Sequence, residues 1–578
     1  MPKKQFNQKQ SSRNSKGLTP SIMKVFEKNI GLELTYKDLC VKIDANSPAL
    51  RQQVIDTLIQ LAKRHIIKQI SHHSYKLEKG KNIIEGRIEL TQRGSGFVVQ
   101  EGGEKDIFIS PNNTNQAMHN DKVSVRLINI GKGRPEGVVI KVIDRNKTQF
   151  VGTLKIIGNK TILIPDNVRS GVEIEIVDNK LSTAVNGVKA LVKITVWPQS
   201  SARPFGEIVE VLGFPGTNDV EMLSILYNQG IDPKFPNEVL EEAEYVSIDL
   251  DDTEIAKRRD FRDVLTFTID PFDAKDFDDA ISYRKLKNGN FELGVHIADV
   301  SHYVRPGSKM DEEALKRSNS VYLVDRVIPM LPEQLSNIAC SLRPKEDKYS
   351  FSAIFEMDES GDVKGEWFGK TVIHSNRRYS YEEAQEIIEG KEGEFQDEIR
   401  AIDKVAKILR EARLANGALN IESEEMRFKL DSKGSPIETI IKTSKDAHKL
   451  IEEFMLLANK RVSLFLSKPN QNKDLIPMIY RVHDKPDPDK IGFLTLFLDK
   501  FGHELTFESL EKIALNINVL LKSIREENEF PLVQSMVIRS MSKASYETQN
   551  IGHFGLAFTH YSHFTSPIRR YADLVVHR

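Results

Sequence analysis

The chain has 578 residues and a mass of 65.7 kDa, several times a typical domain length of about 150 residues, so it divides into more than one domain. Hydrophobic residues make up 39% and charged residues 29%, mean hydropathy is -0.38, and no uncharged apolar run of about 18 residues occurs, which excludes a membrane-spanning helix and predicts a soluble protein. Two cysteines, Cys40 and Cys340, exclude a disulfide scaffold and a CxxC zinc site and point to a reducing cytoplasm, while 82 basic against 83 acidic residues leave a net charge of -1, so a nucleic-acid surface must come from local clustering.

Residues 1–17 carry Lys3, Lys4, Lys9, Arg13 and Lys16 without an acidic residue or an apolar stretch, the pattern of a disordered basic tail and not of a secretory signal. Thr19 and Pro20 open a helix to about Lys28, Tyr36 to Ile43 is a second, and Ser47 with Pro48 caps a third, along which Leu50, Val54, Ile55, Leu58 and Leu61 recur at helical spacing. A β-like segment from Ile66 to Leu77 follows, with Arg64, Lys68, Lys76, Lys79 and Lys81 around it. The pattern over 18–82 resembles a winged helix-turn-helix, with a small helical docking domain as the alternative.

From Gly86 the texture changes to short strands separated by glycine: Arg87 to Leu90, Gly96 to Val99, Asp106 to Ile109, Lys122 to Leu127 and Gly137 to Val142. Five such strands predict a small barrel over 83–147. The segments Gly96-Phe97-Val98-Val99 and Asp106-Ile107-Phe108-Ile109 resemble the strands on which cold-shock OB domains present aromatic rings to single-stranded bases. Phe97 and Phe108 are the stacking candidates, with Arg93, Lys105 and Arg126 for phosphates. A second β-rich stretch from Gln149 to Gly213 predicts another barrel within 148–245. The acidic residues between Asp219 and Asp263 read as a solvated face or linker.

The segment Asp270-Pro271-Phe272-Asp273-Ala274-Lys275-Asp276-Phe277-Asp278-Asp279-Ala280 follows a strand candidate, Val264 to Ile269, and puts five carboxylates within ten positions. Pro271 makes it a loop at a strand end. Three carboxylates converging to about 4 Å cost on the order of 4 kcal/mol per pair at an effective dielectric of 20, which a divalent cation offsets. All-oxygen ligation favours Mg²⁺ or Mn²⁺ over zinc, and paired sites of this kind clamp the attacking and leaving oxygens of a phosphodiester. An EF-hand is excluded because Ile281 stands where that loop needs glycine.

Several further segments join this one: Arg259-Asp260-Phe261-Arg262-Asp263, Gly294-Val295-His296-Ile297-Ala298-Asp299-Val300, Ser320-Val321-Tyr322-Leu323, Pro329-Met330-Leu331-Pro332-Glu333, Glu452-Glu453-Phe454-Met455, Arg481-Val482-His483-Asp484 and His563-Phe564-Thr565-Ser566-Pro567-Ile568-Arg569-Arg570-Tyr571. Together they resemble the ribonuclease II and ribonuclease R family of exoribonucleases, over about Gly86 to Arg578, and the amino-terminal helix-turn-helix favours the ribonuclease R side. The resemblance implies a multidomain α+β protein: the winged helix-turn-helix, two cold-shock-type OB barrels, and a mixed α/β catalytic domain over 246–578. It implies a 3′-5′ exoribonuclease that processively hydrolyses single-stranded RNA to 5′-nucleoside monophosphates with Mg²⁺ or Mn²⁺, a cytoplasmic monomer whose partner is RNA, with no membrane association.

By the same resemblance Asp270, Asp276, Asp278 and Asp279 hold the metal ions, and Arg569 binds the scissile phosphate. Tyr322 is the aromatic clamp, and Tyr381 is the ring near the terminal nucleotide. In the helical stretch Asp446 to Val462, helical geometry puts His448, Glu452 and Asn459 on one face and turns Glu453 away. That favours Glu452 for the RNA channel, although the family motif contains both glutamates and both are carried. Two departures stand out. Gly417-Ala418-Leu419-Asn420-Ile421 replaces the usual Gly-Ala-Leu-Asp-Phe, and Ile568 to Arg578 reads as a helix that stops without a cap, so the chain is expected to be truncated relative to the family. The competing reading is a non-catalytic RNA-binding protein, against which the retained carboxylates and Arg569 speak. Zinc at His553, His560 and His563 is a weaker third reading.

Overall fold

The computed structural model describes residues 18–578 except 30, 64–66, 72, 78–82, 92, 100–105, 130–133, 168–171, 178–184, 198–202, 422–424, 432–433, 470–475 and 506–511. The basic tail, Arg64, Lys79, Lys81 and Lys105 lie outside the described residues. The chain forms two compact units, one ending at Asp232 and one beginning at Pro233.

The first unit begins with helices Leu18–Lys28, Tyr36–Lys42 and Pro48–Lys63 and the three-stranded sheet Glu33–Thr35, Ser74–Lys76, Lys68–Ser71. Thr35 and Asp38 form a reciprocal cap on the second helix, and Ser47 Oγ accepts from the Leu50 N–H at the start of the third. Val54, Leu58 and Leu61 are buried with Ile22, Phe26 and Leu39. Leu50, expected in the same stripe, is exposed, because it sits in the first turn beside the cap.

Two closed barrels follow. The first comprises Ile83–Leu90, Gly96–Val99, Ile107–Ile109, Lys122–Asn129 and Glu136–Asp144. The second comprises Gln149–Ile157, Lys160–Pro165, Ile174–Ile176, Lys189–Val196 and Phe205–Gly213. Strand alternation in the first sends Val98, Ile107 and Ile109 inward and leaves Phe97 and Phe108 half-buried opposite one another, ring centroids 5.5 Å apart. The Arg134 guanidinium lies 4.2 Å from the Phe97 ring centre. The acidic stretch after the second barrel is largely helical and is not a plain linker. Helix Asn218–Asn228 packs Tyr227 against Val151 and Leu191, and its Glu221 pairs with Lys189 at 2.8 Å.

The second unit is built on a seven-stranded sheet in the order Arg259–Phe261, Val363–His374, Asp347–Met357, Phe291–Ala298, Asp279–Lys285, Thr266–Asp270, Arg377–Ser380. The outer strands pair in parallel, Arg259–Phe261 with Val363–His374 and Thr266–Asp270 with Arg377–Ser380, and the remaining neighbours are antiparallel. One face, through Phe267, Ile269, Val295 and Phe355, packs on helices Tyr381–Ile388, Gln396–Ala415 and Asp446–Leu466. The other, through Phe261, Ala280, Ile354 and Ile373, packs on helices Asn237–Glu244 and Lys309–Arg317 and the π-helical turn Gln334–Ala339. Burial on both faces explains why the strand Thr266–Asp270 is buried at every position. Helices Pro488–Asp499, Ile513–Ser523 and Phe530–Ser540 share a separate core. The terminal helix is Tyr571–His577, so residues 568–570, expected to begin it, form a turn, with Arg570 bridged to Asn319.

Within the first unit, Asp121 is fully buried and accepts from the Met118 and Asn146 N–H groups and from Arg145 at 2.7 Å. Asp121→Ala leaves two N–H groups and a guanidinium without their acceptor and is expected to lower the stability of this unit by about 3–5 kcal/mol. Urea unfolding followed through barrel fluorescence checks it, and a loss under about 1 kcal/mol would contradict the assignment.

Candidate active site

Asp270 is the last residue of its strand and Asp279 the first of the antiparallel neighbour, so the chain leaves and re-enters the sheet at one edge with the acidic loop between. The loop is pinned at several points. Arg378 Nη2 donates to the carbonyls of Pro271 and Phe272, each at 2.6 Å. Ser341 Oγ donates to the Lys275 carbonyl and accepts from the Phe277 N–H, and the Ala298 N–H donates to the Asp278 carbonyl.

Asp270, Asp276, Asp278 and Asp279 all line one cavity of about 800 Å³, together with Tyr322, Tyr381, Arg427 and Arg569. Asp270 and Asp278 are buried, and Asp276 and Asp279 partly so. Burial pushes all four carboxyls above the usual range, Asp278 to about 8. The charges of Asp278 and Asp276 add to this at Asp270, and the charge of Asp270 adds to it at Asp279, while Arg569 opposes it at Asp276, Asp278 and Asp279. Asp270 Oδ2 is buried without a hydrogen-bond partner. The expectation that three carboxylates meet within about 4 Å is not met. Among the described residues, the group of three whose ligand atoms lie within 4.8 Å of one another is His503, Glu527 and Glu529, in the separate helical core. The aspartates instead line the cavity from the pinned backbone of the loop.

Arg569 Nε lies 3.5 Å from Asp278 Oδ2, and its Nη2 donates to Ser566 Oγ at 3.1 Å. Asp278 Oδ1 accepts from the Ile568 N–H, next to Arg569 in the chain, at 3.0 Å. Arg570 does different work: it binds the buried Asp573 through two hydrogen bonds, and Asp573 also accepts from the Ser566 N–H. The Ser320 N–H donates to the Arg569 carbonyl, which brings Tyr322, half-exposed on a two-stranded hairpin, to the same cavity. Tyr381 begins its helix one residue after Ser380, which pairs with Asp270 in the parallel register. Its hydroxyl is pushed up in pKa by burial and by the charges of Asp279 and Asp270.

The two glutamates separate cleanly. Glu453 is 4% exposed and binds Arg413 through both oxygens, whereas Glu452 is 53% exposed and lies 3.8 Å from the same guanidinium. Asn459, on the face of His448 and Glu452, accepts from the Phe564 N–H at 2.7 Å and so supports the segment that leads to Arg569. Arg378 and Arg413 are the residues that sequence reasoning missed. Their partners lie 107 and 40 positions away, and no local pattern marks them. Ile421 packs at the edge of the separate helical core and does not line the cavity. His563 accepts from the Tyr546 hydroxyl at 2.6 Å and His553 from the Leu556 N–H, so both Nδ1 lone pairs are engaged within the protein.

Residues 258–578 match the RNB domain family, 162–236 the cold shock domain and 86–142 the ribonuclease B OB domain. Ribonuclease R of Thermotoga maritima is 38% identical over 557 residues, covering 94% of this chain and 77% of that protein. Ribonuclease R 1 of Lactococcus lactis is 33% identical, covering 96% and 70%. The chain belongs to the ribonuclease R family. It is a hydrolytic 3′-5′ exoribonuclease of mixed α/β multidomain architecture. Mycoplasma genitalium RNase R in complex with ribose methylated single-stranded RNA superimposes with a TM-score of 0.78 at 26% identity, covering 86% of this chain and 78% of that one. Yeast Ssd1, a pseudonuclease, shares the fold with a TM-score of 0.64 at 22% identity, over 86% of this chain and 68% of that one. RNB ribonucleases are metal-dependent. An all-carboxylate donor set, raised in pKa by burial and including a buried oxygen without a partner, fits a hard divalent cation. Among the described residues no helix is long and apolar enough to cross a membrane.

Glu453→Ala leaves Arg413 buried without its partner and is expected to lower the stability of this ribonuclease R-family chain by about 3–5 kcal/mol, whereas Glu452→Ala changes it by less than about 1 kcal/mol. Chemical denaturation of the two variants decides the matter, and equal losses would reject the division of roles.

Proposed function

We propose that this chain degrades single-stranded RNA processively from the 3′ end to 5′-nucleoside monophosphates, with the terminal phosphodiester lying among Asp270, Asp276, Asp278, Asp279 and Arg569. The observation that carries the proposal is that these five residues line one cavity with Tyr322 and Tyr381. Asp270, Asp276, Asp278 and Asp279 would hold a pair of divalent ions, Mg²⁺ or Mn²⁺, which would supply positive charge for activating water and neutralising the leaving oxygen. The protein's own part is positional. Arg569 holds the scissile phosphate with a planar fork fixed by Ser566 and Asp278. Tyr381 meets the terminal nucleotide, and Tyr322 clamps the strand further up and sets the length of the shortest fragment held. Of the two glutamates, exposure favours Glu452 for the RNA channel, while Glu453 acts through Arg413.

Phe97 and Phe108, side by side on the outside of the first barrel with Arg134 against the ring, suit a stacking platform worth about 1–3 kcal/mol per base. We assign the domains as a basic tail (1–17), a winged helix-turn-helix (18–82), two cold-shock-type barrels (83–147 and from 148) and the catalytic domain, in a cytoplasmic monomer whose partner is RNA; the boundary expected at 245 moves to 232, because helix Asn237–Glu244 packs on the catalytic sheet. A non-catalytic RNA-binding module is the alternative. It gains nothing from burying carboxylates that repel one another, and the burial of Asp270 and Asp278 speaks against it.

The test is 5′-labelled single-stranded RNA incubated with the chain and Mg²⁺, with and without a chelator. Shortening from the unlabelled end that stops with the chelator supports the proposal, and intact RNA in both lanes rejects it. In the same assay Asp279→Asn is expected to lose hydrolysis while RNA affinity, measured by filter binding, stays within about threefold, a free-energy change under about 1 kcal/mol; undiminished turnover would remove Asp279 from the site. Arg569→Lys is expected to slow single-turnover cleavage about 10²- to 10³-fold, as loss of a preorganised charge donor does elsewhere. A rate within a few-fold of the unsubstituted chain would exclude Arg569 from the chemistry.

A further inference from the structure

The ring of Tyr381 is not free-standing. The imidazole of His448 lies flat against it, centroids 4.0 Å apart and planes 8° from parallel, the most nearly coplanar pair among the described aromatic contacts. Two helix starts create the stack. Tyr381 is the first residue of Tyr381–Ile388, whose cap is the reciprocal pair Ser380 and Glu383, and His448 is the third residue of Asp446–Leu466. Gln385 Oε1 accepts from the Ala447 N–H at 2.9 Å and ties the two helices together beside the stack. The imidazole is itself oriented, because its Nδ1 accepts from the Lys445 N–H at 3.3 Å. A neutral ring with Nδ1 as acceptor carries its proton on Nε2, and that nitrogen is buried without a partner. Burial holds the imidazole below the ordinary histidine range, helped by the positive charges of Lys442, Arg427 and Lys445 and opposed by Glu382.

Resting on the function proposed above, we infer that His448 is a positioning residue for the terminal nucleotide. It fixes the plane of Tyr381 so that the tyrosine edge stands beside Asp270 and Asp279, and thereby sets which phosphodiester reaches the carboxylates. The imidazole does this as a flat backing and touches no reacting atom. A tyrosine without that backing samples other rotamers, and the RNA end then slips by one nucleotide in a fraction of turnovers.

The test reads the first cut on 3′-end-labelled single-stranded RNA with Mg²⁺, as the ratio of labelled mononucleotide to labelled dinucleotide. This ratio does not depend on how much of a preparation is folded. A stacked pair of this kind contributes about 0.5–1.5 kcal/mol, so His448→Ala and His448→Gln are each expected to raise the dinucleotide share about two- to tenfold. His448→Phe restores a flat ring and is expected to return the ratio to that of the unsubstituted chain. Because His448 acts through Tyr381, adding His448→Ala to Tyr381→Ala is expected to change the ratio no further. An unchanged ratio in both His448→Ala and His448→Gln overturns the inference, as does a full additional effect in the Tyr381→Ala background, and in either case the unsubstituted chain still degrades RNA. If the unsubstituted chain releases no nucleotide, the proposed function falls and this inference falls with it.

Discussion

The second unit is organised around an electrostatic conflict. Asp270 and Asp278 are buried, Asp279 sits at the start of the next strand, and all three are raised in pKa because burial disfavours their charge. Carboxylates that share one cavity raise one another's pKa on top of the effect of burial, and no folding gain follows from lining a cavity with them. Rigidity is what allows it. The loop between the strands is tied by Arg378, Ser341 and the Ala298 N–H, and the strands that bear its ends are packed on both faces. Carboxylates on a mobile loop would swing into water.

The positive side of the site is built with equal economy of motion. Arg569 lies in a turn whose backbone N–H at Ile568 donates to Asp278, whose Ser566 N–H is held by Asp573, and whose carbonyl at Arg569 accepts from Ser320. One short segment therefore carries the Arg569 guanidinium, to which phosphate binding is assigned in the proposal above, supports the Asp278 carboxylate and anchors the strand leading to Tyr322. Asn459 holds the start of the same segment from the long helix.

Much of this was legible in the sequence, and the remainder fails for identifiable reasons. The acidic loop and the short-strand barrels have local signatures, dense carboxylates after an alternating strand and glycine-bounded runs of period two, whereas Arg569 and Tyr322 are marked only by the family resemblance of the segments that hold them. Helical geometry also placed Glu452 and Glu453 on different faces, and the structure separates them as exposed and buried. What periodicity does not contain is the partner across space. Arg413 and Arg378 became visible only with coordinates, the acidic run after the second barrel gave no sign that Glu221 pairs with Lys189, and the helical stripe included Leu50 although the cap turns it to solvent. The expected meeting of three carboxylates failed for the same reason, since spacing along a loop says nothing about where a pinned backbone stops each side chain.

The two tyrosines illustrate how one residue type serves two mechanical ends. Tyr322 stands half-exposed on a two-residue strand pair beside Arg569, and Tyr381 is wedged between a capped helix start and an imidazole at stacking distance, so on the function proposed above the first is the more compliant contact for RNA and the second the stiffer. An exonuclease that removes one nucleotide at a time needs both kinds of contact. A compliant contact lets the strand advance, and a stiff one defines where it stops. The stiff contact belongs beside the reacting phosphate because a displacement of about 1 Å there costs on the order of a hundredfold in rate, and it is there that the fold concentrates caps, cross-links and buried rings.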